Sequence, residues 1–147
     1  MYMRQSWYMK SDEDKSMFCT LLVDANANYR EALTDILYAY FPLIDVVEAG
    51  NGAEALGKVD YMRPNIIFTD IQLPEKSGLE LIGEIKQMYS DIVIVILTNS
   101  DSPEYREQAF RSGADHFISK VEDSCIENIL ARTEETMSMG RSTDPGR

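Results

Sequence analysis

The sequence predicts an α/β fold in which one parallel sheet is covered by helices on both faces. Short apolar runs alternate five times with longer amphipathic segments. A helix between two strands can carry the chain back to the edge where the first strand began, in a right-handed crossover. The strands are therefore expected to pair in parallel. The apolar run of residues 92–97 has no polar face, as expected for a central strand buried on both sides. The predicted architecture is therefore a doubly wound sheet of five strands.

The first two strand–helix units are predicted over residues 18–61. Residues 18–23 form the first strand, and residues 29–40 form a helix with apolar side chains on one face. Pro42 closes this unit. A weaker second strand covers residues 45–49, and Asn51 caps a helix that ends at Val59 or Tyr61.

The third unit contains the most informative charge of the chain. Residues 65–70 form a strand of high β propensity that ends on the carboxylate of Asp70. Pro74 bars regular structure after it, and Ser77 and Glu80 have the spacing of a capping box. The helix that follows is predicted over residues 78–88.

The last two units complete the pattern. Strand 92–98 precedes a helix that Pro103 opens and Gly113 ends. A fifth strand over residues 116–119 precedes a helix that reaches about Met137.

The expected domain organisation is a flexible leader over residues 1–16, one folded domain over 17–138 and a disordered tail over 139–147. Met17 directly precedes the first strand, so we hypothesise that the natural start lies there.

Composition excludes several classes of protein. The chain has 147 residues, which suits one domain, and its longest apolar run of six residues is far below the ~20 of a membrane span. The net charge of −11 argues against direct binding of nucleic acid. Cys19 and Cys125 have no paired spacing, so neither disulfides nor a zinc site is indicated. The first ten residues lack the apolar core of a signal peptide, and we expect a cytoplasmic location.

Four polar side chains follow the ends of predicted strands. Asp24, Asp70 and Thr98 close three of them, and Lys120 follows the fifth. The carboxyl ends of parallel strands meet at one edge of the sheet, where ligands bind. Two carboxylates there repel each other unless a cation bridges them, and Mg²⁺ prefers such oxygen ligands. A carboxylate can also attack phosphorus, and a hydroxyl with an ammonium group can hold the phosphoryl oxygens.

The sequence resembles the receiver domain of two-component response regulators over roughly residues 17–137. The similarity rests on residues 21–24, on 68–74 with Gly78, on 95–98 and on 113–120. It implies a flavodoxin-like (βα)5 fold with strand order 2-1-3-4-5.

The resemblance also implies a function and a site. Asp70 would accept a phosphoryl group from the phosphohistidine of a sensor histidine kinase, with Asp24 as an acid near Mg²⁺. The backbone carbonyl of Gln72 would be a further metal ligand. Thr98 and Lys120 would hold the phosphoryl oxygens, and Phe117 would turn inward with Thr98 as a conformational switch.

One position departs from the family pattern. The family usually has two consecutive acids after the first strand, and here the second position is Ala25. That acid normally contacts the metal, so we expect weaker Mg²⁺ binding. Asn26 offers an amide oxygen nearby.

Three functional interpretations remain open at this point. The first is a stand-alone receiver, not an enzyme, that signals to a protein partner or dimerises through its fourth helix, fifth strand and fifth helix. The second is a degenerate receiver that acts as a phosphorylation-independent interaction module, as Ala25 suggests. The third is a phosphohydrolase of the haloacid dehalogenase type, with Asp24 as nucleophile and Asn26 where a second acid is expected.

Overall fold

Five strands and five helices alternate along residues 18–143, the part of the chain that the computed structural model describes. In chain order they are β1 (Cys19–Val23), α1 (Ala27–Tyr40), β2 (Asp45–Ala49), α2 (Gly52–Met62), β3 (Ile66–Thr69), α3 (Gly78–Met88), β4 (Val93–Thr98), α4 (Pro103–Ser112), β5 (His116–Ser119) and α5 (Cys125–Thr143). The sheet order is β2-β1-β3-β4-β5, and all neighbouring strands are parallel. The predicted fold class and strand order are confirmed.

Side-chain caps fix where the chain turns from the sheet into its helices. Asn51 accepts a hydrogen bond from the Glu54 N–H at the start of α2. Ser77 and Glu80 form the predicted capping box at α3, and Pro103 opens α4. Because these caps satisfy backbone donors early, the loops at the carboxyl edge of the sheet are held in place.

Two hydrophobic cores flank the sheet, because alternate strand residues point to opposite faces. Helices α1 and α5 cover one face, and α2, α3 and α4 cover the other. Fully buried side chains of the first core include Leu22, Leu37, Phe68, Val95 and Ile129; those of the second include Leu21, Ile67, Leu81, Ile85 and Ile96.

Helix α1 begins earlier than predicted. It starts at Ala27 instead of Tyr29, because Asn26 is the cap and accepts a hydrogen bond from the Tyr29 N–H. The buried apolar side chains of this helix, Leu33 and Leu37, come after its first turn, so apolar periodicity did not reveal where the helix begins.

Helix α5 extends past its predicted end near Met137 and reaches Thr143. Residues 139–143, predicted to be part of a disordered tail, are therefore helical. Gly140 costs only about 1 kcal/mol in a helix interior, and Pro145 is the first residue after it that bars a helix. The predicted leader of residues 1–16, Met17 and residues 144–147 lie outside the described residues. Within residues 18–143, no helix has the length and apolarity that crossing a bilayer requires.

Candidate functional site

Parallel pairing brings three of the predicted side chains together at the carboxyl edge of the sheet. The Lys120 Nζ lies 2.5 Å from Asp24 Oδ2 and 3.1 Å from Asp70 Oδ2. The three side chains are between 9% and 13% exposed, so their ionic contacts are largely shielded from water. Two carboxylates around one ammonium group leave one formal negative charge at this edge.

The loops after β1 and β3 position the two carboxylates. Asp24 Oδ1 accepts a hydrogen bond of 2.9 Å from the Asn26 N–H, and Asp70 Oδ1 accepts one of 3.3 Å from the Gln72 N–H. The start of α3 packs tightly beneath Asp70, where a Cβ atom on Gly78 would collide with the Asp70 carbonyl oxygen. Glycine is therefore required for helix and acceptor loop to approach this closely.

Thr98 lies beside Lys120 at the end of β4 and is buried. Its carbonyl oxygen accepts a hydrogen bond of 2.8 Å from the Lys120 N–H, and its hydroxyl accepts one of 3.2 Å from the Ser100 N–H. The position of Thr98 is thus tied through the backbone to the lysine that contacts both carboxylates.

Phe117, the predicted switch residue, lies on β5 and is half-buried against the core beneath α2, α3 and α4. The Arg106 guanidinium carbon of α4 is 4.6 Å from the centroid of its ring. Asp101 accepts a hydrogen bond of 2.9 Å from the same guanidinium group. The ring therefore connects β5 to the first turn of α4.

The carboxylate oxygens at this edge are the type of ligand that a divalent cation prefers, but among the described residues only two side chains supply them. Oxygens of Asp24 and Asp70 both reach one nitrogen atom, so a single cation could bridge them, and both are the hard ligands that Mg²⁺ prefers. Ala25 supplies no oxygen from its side chain, and the Asn26 amide oxygen is engaged as the helix cap. Across the described range 18–143, no three acidic, histidine or cysteine side chains cluster in a way that could hold a metal.

Sequence reasoning missed two residues of α1 that contact the site. The ring centroid of Tyr29 lies 4.3 Å from the Lys120 Nζ. Arg30 donates hydrogen bonds to the Asp24 carbonyl oxygen at 2.5 Å and to Glu48 at 3.0 Å. Both residues lie in the helix that directly follows Asp24, and this proximity was the one available signal.

Comparison with known proteins decides the family. A model described as the response regulator receiver domain matches residues 20–132. This chain belongs to that family. Receiver domains are signalling domains, and the match favours this interpretation over the phosphohydrolase alternative.

Relatives of this receiver domain include longer proteins. It is 35% identical over 123 residues to the transcriptional regulatory protein BtsR of Salmonella typhi, covering 83% of this chain and 50% of BtsR. It is 36% identical over 128 residues to the DNA-binding transcriptional activator DevR/DosR of Mycobacterium tuberculosis, covering 86% of this chain and 57% of that protein. The chain thus spans about half the length of the curated relatives it matches.

A solved structure shows the same fold. The CheY-like response regulator receiver domain protein from Methanospirillum hungatei JF-1 has a TM-score of 0.76 and 23% sequence identity, covering 86% of this chain and 98% of that one. At this level of identity, the similarity establishes the fold of the receiver domain and not the role of each residue.

Proposed function

We propose that this receiver domain accepts a phosphoryl group on Asp70 from the phosphohistidine of a sensor histidine kinase and signals to a protein partner. The observation that carries the proposal is the Lys120 ammonium group between Asp70 and Asp24. A lysine so placed holds positive charge beside the acceptor oxygen, where the phosphoryl oxygens would lie.

The chemistry follows from the carboxylate of Asp70. One of its oxygens attacks the phosphorus atom, and a P–O bond forms while the P–N bond to the imidazole breaks. The bonding pair stays on the imidazole nitrogen, and the product is an aspartyl phosphate. The Lys120 ammonium group and the Thr98 hydroxyl stabilise the charge on the transferred oxygens.

Asp24, Asp70 and the backbone carbonyl of Gln72 would hold Mg²⁺ in this proposal. The ion, when bound, supplies further neutralisation of the phosphoryl charge. Ala25 leaves one anionic ligand fewer than the family pattern, so we expect the ion to bind weakly.

The signal would leave through α4, β5 and α5. A backbone hydrogen bond links Thr98 and Lys120, and Phe117 lies on β5, the strand that directly precedes Lys120. Movement of Thr98 toward the phosphoryl group would make room for Phe117 to turn inward and release its contact with Arg106. The face formed by these elements exposes Phe110 by 46% and would receive a partner protein or a second copy of the domain. With a net charge of −11, we expect this domain not to bind nucleic acid directly.

The decisive test is incubation of the protein with a small phosphodonor such as acetyl phosphate, with Mg²⁺ and with a chelator in its place. We expect intact-protein mass spectrometry to show one added phosphoryl group with Mg²⁺ and little with the chelator. Asp70→Asn should abolish the addition, whereas modification that persists in this variant would show that another residue is the acceptor.

A second function is favoured by one observation, the missing acid at Ala25. A degenerate receiver would keep Asp24, Asp70 and Lys120 as a closed structural cluster and bind its partner without phosphorylation. In the same assay, an unmodified wild type together with a phosphorylated Ala25→Asp variant would establish this alternative.

A further inference from the structure

The Lys120 ammonium group is held from three sides, and only two of them are acidic. Asp24 and Asp70 contact it through their carboxylates, and the ring of Tyr29 lies over it at 4.3 Å from the ring centroid. The lysine side chain is 9% exposed. An ammonium group that has lost most of its water is attracted strongly to the negative face of an aromatic ring.

Tyr29 itself is held firmly. Its backbone N–H donates to the Asn26 cap, and its side chain interacts with the thiol of the buried Cys125 on α5. Burial, with the thiol and Asp24 adding to it, raises the pKa of Tyr29 well above its ordinary value. The ring therefore meets Lys120 as a neutral tyrosine fixed between two helices.

The geometry points to Tyr29 as a positioning residue that holds the Lys120 ammonium group over Asp70. This role rests on the proposed function, in which Lys120 contacts the phosphoryl oxygens. Ala25 supplies no third carboxylate at this edge, so two carboxylates and the aromatic face hold the ammonium group. Since metal binding is expected to be weak, the placement of this positive charge determines more of the affinity for a phosphoryl group.

Two substitutions separate the ring from the hydroxyl. Tyr29→Phe keeps the aromatic face and loses the hydroxyl. Tyr29→Leu keeps an apolar side chain at this half-buried position and loses the aromatic face. Tyr40→Leu is the matched control, because it makes the same change on the same helix at a side chain that is 64% exposed.

The probe is beryllofluoride, a phosphoryl analogue, titrated with Mg²⁺ and followed through backbone amide NMR shifts. We expect Tyr29→Leu to bind it about five- to thirtyfold more weakly, and Tyr29→Phe and Tyr40→Leu to bind it like the wild type. Thermal melting identifies any variant that has lost its fold. If the Leu variant unfolds, the Phe variant still tests the proposal, because weaker binding by a variant that keeps the ring would overturn it.

A second readout is independent of the analogue. The ring current of Tyr29 should shift the ε-methylene protons of Lys120 upfield in the wild type and in Tyr29→Phe, and this shift should disappear in Tyr29→Leu. Equal affinity of Tyr29→Leu and wild type would overturn the positioning role alone. An equal loss in Tyr29→Phe and Tyr29→Leu would overturn it too, since the hydroxyl would then be the group that matters. A wild type that binds no beryllofluoride would instead overturn the proposed function.

Discussion

Two lysines make long-range ion pairs at opposite edges of the sheet, and they differ in the charge around them. At the amino edge, Lys86 donates to Asp115 Oδ2 at 2.9 Å and to the Ile92 carbonyl oxygen at 2.7 Å. The same Asp115 oxygen accepts a hydrogen bond from the Ile94 N–H. One ammonium group there faces one carboxylate, and the remaining contacts are neutral backbone groups.

At the carboxyl edge, Lys120 faces two carboxylates and an aromatic ring. One formal negative charge is left over, and it can attract a divalent cation. The balanced pair at Lys86 completes the packing of α3 against β4 and β5, and has no charge left to offer a ligand. The excess negative charge makes the carboxyl edge the candidate ligand site, whereas the Lys86 pair is balanced.

The largest expected effect comes from Lys120→Met. We predict that phosphorylation of Asp70 by acetyl phosphate slows on the order of a hundredfold or more, because a preorganised positive charge beside the reacting oxygens is lost. Rates of phosphoprotein formation by mass spectrometry measure this. A rate close to that of the wild type would show that Lys120 is as structural as Lys86.

The next largest effect tests the position of the Asp70 loop without changing any charge. Gly78→Ala should lower the free energy of unfolding by about 1–3 kcal/mol and slow phosphorylation, because the added Cβ collides with the Asp70 carbonyl and displaces the acceptor loop. Urea denaturation measures the stability. Gly83→Ala is the control on the same helix, where an added Cβ meets no atom within 4 Å. If Gly83→Ala destabilised the protein as much, the effect would belong to the helix and not to the acceptor loop.

The sequence predicted the acidic and basic members of the site because they follow strand ends, and parallel strands end at a common edge. Asp24, Asp70 and Lys120 needed only the strand order to be brought together. The contact of Tyr29 with Lys120 could not be predicted, because it depends on how α1 lies against the loop that follows β5 and not on local spacing. The end of α5 was also mispredicted, since the composition after Met137 weakly favours both helix and coil.

The third effect changes the charge at the carboxyl edge. Ala25 is exposed, so Ala25→Asp should be accommodated and should strengthen Mg²⁺ binding on the order of tenfold by adding an anionic oxygen ligand. Isothermal titration calorimetry measures the affinity. Ala27→Asp places the same charge two residues further along, and an equal gain there would attribute the effect to long-range attraction and not to ligation.

The smallest effect returns to the amino edge of the sheet. Lys86→Met should lower the free energy of unfolding by about 1 kcal/mol, because Lys86 is 19% and Asp115 40% exposed, and water compensates part of the lost ion pair. Urea denaturation measures the loss, and the phosphorylation rate should not change. Asp115 keeps its hydrogen bond from the Ile94 N–H and loses the counter-charge of one carboxylate, whereas Lys120→Met removes the counter-charge of two neighbouring carboxylates. A loss of phosphorylation in Lys86→Met comparable to that in Lys120→Met would mean that charge balance does not distinguish the two edges.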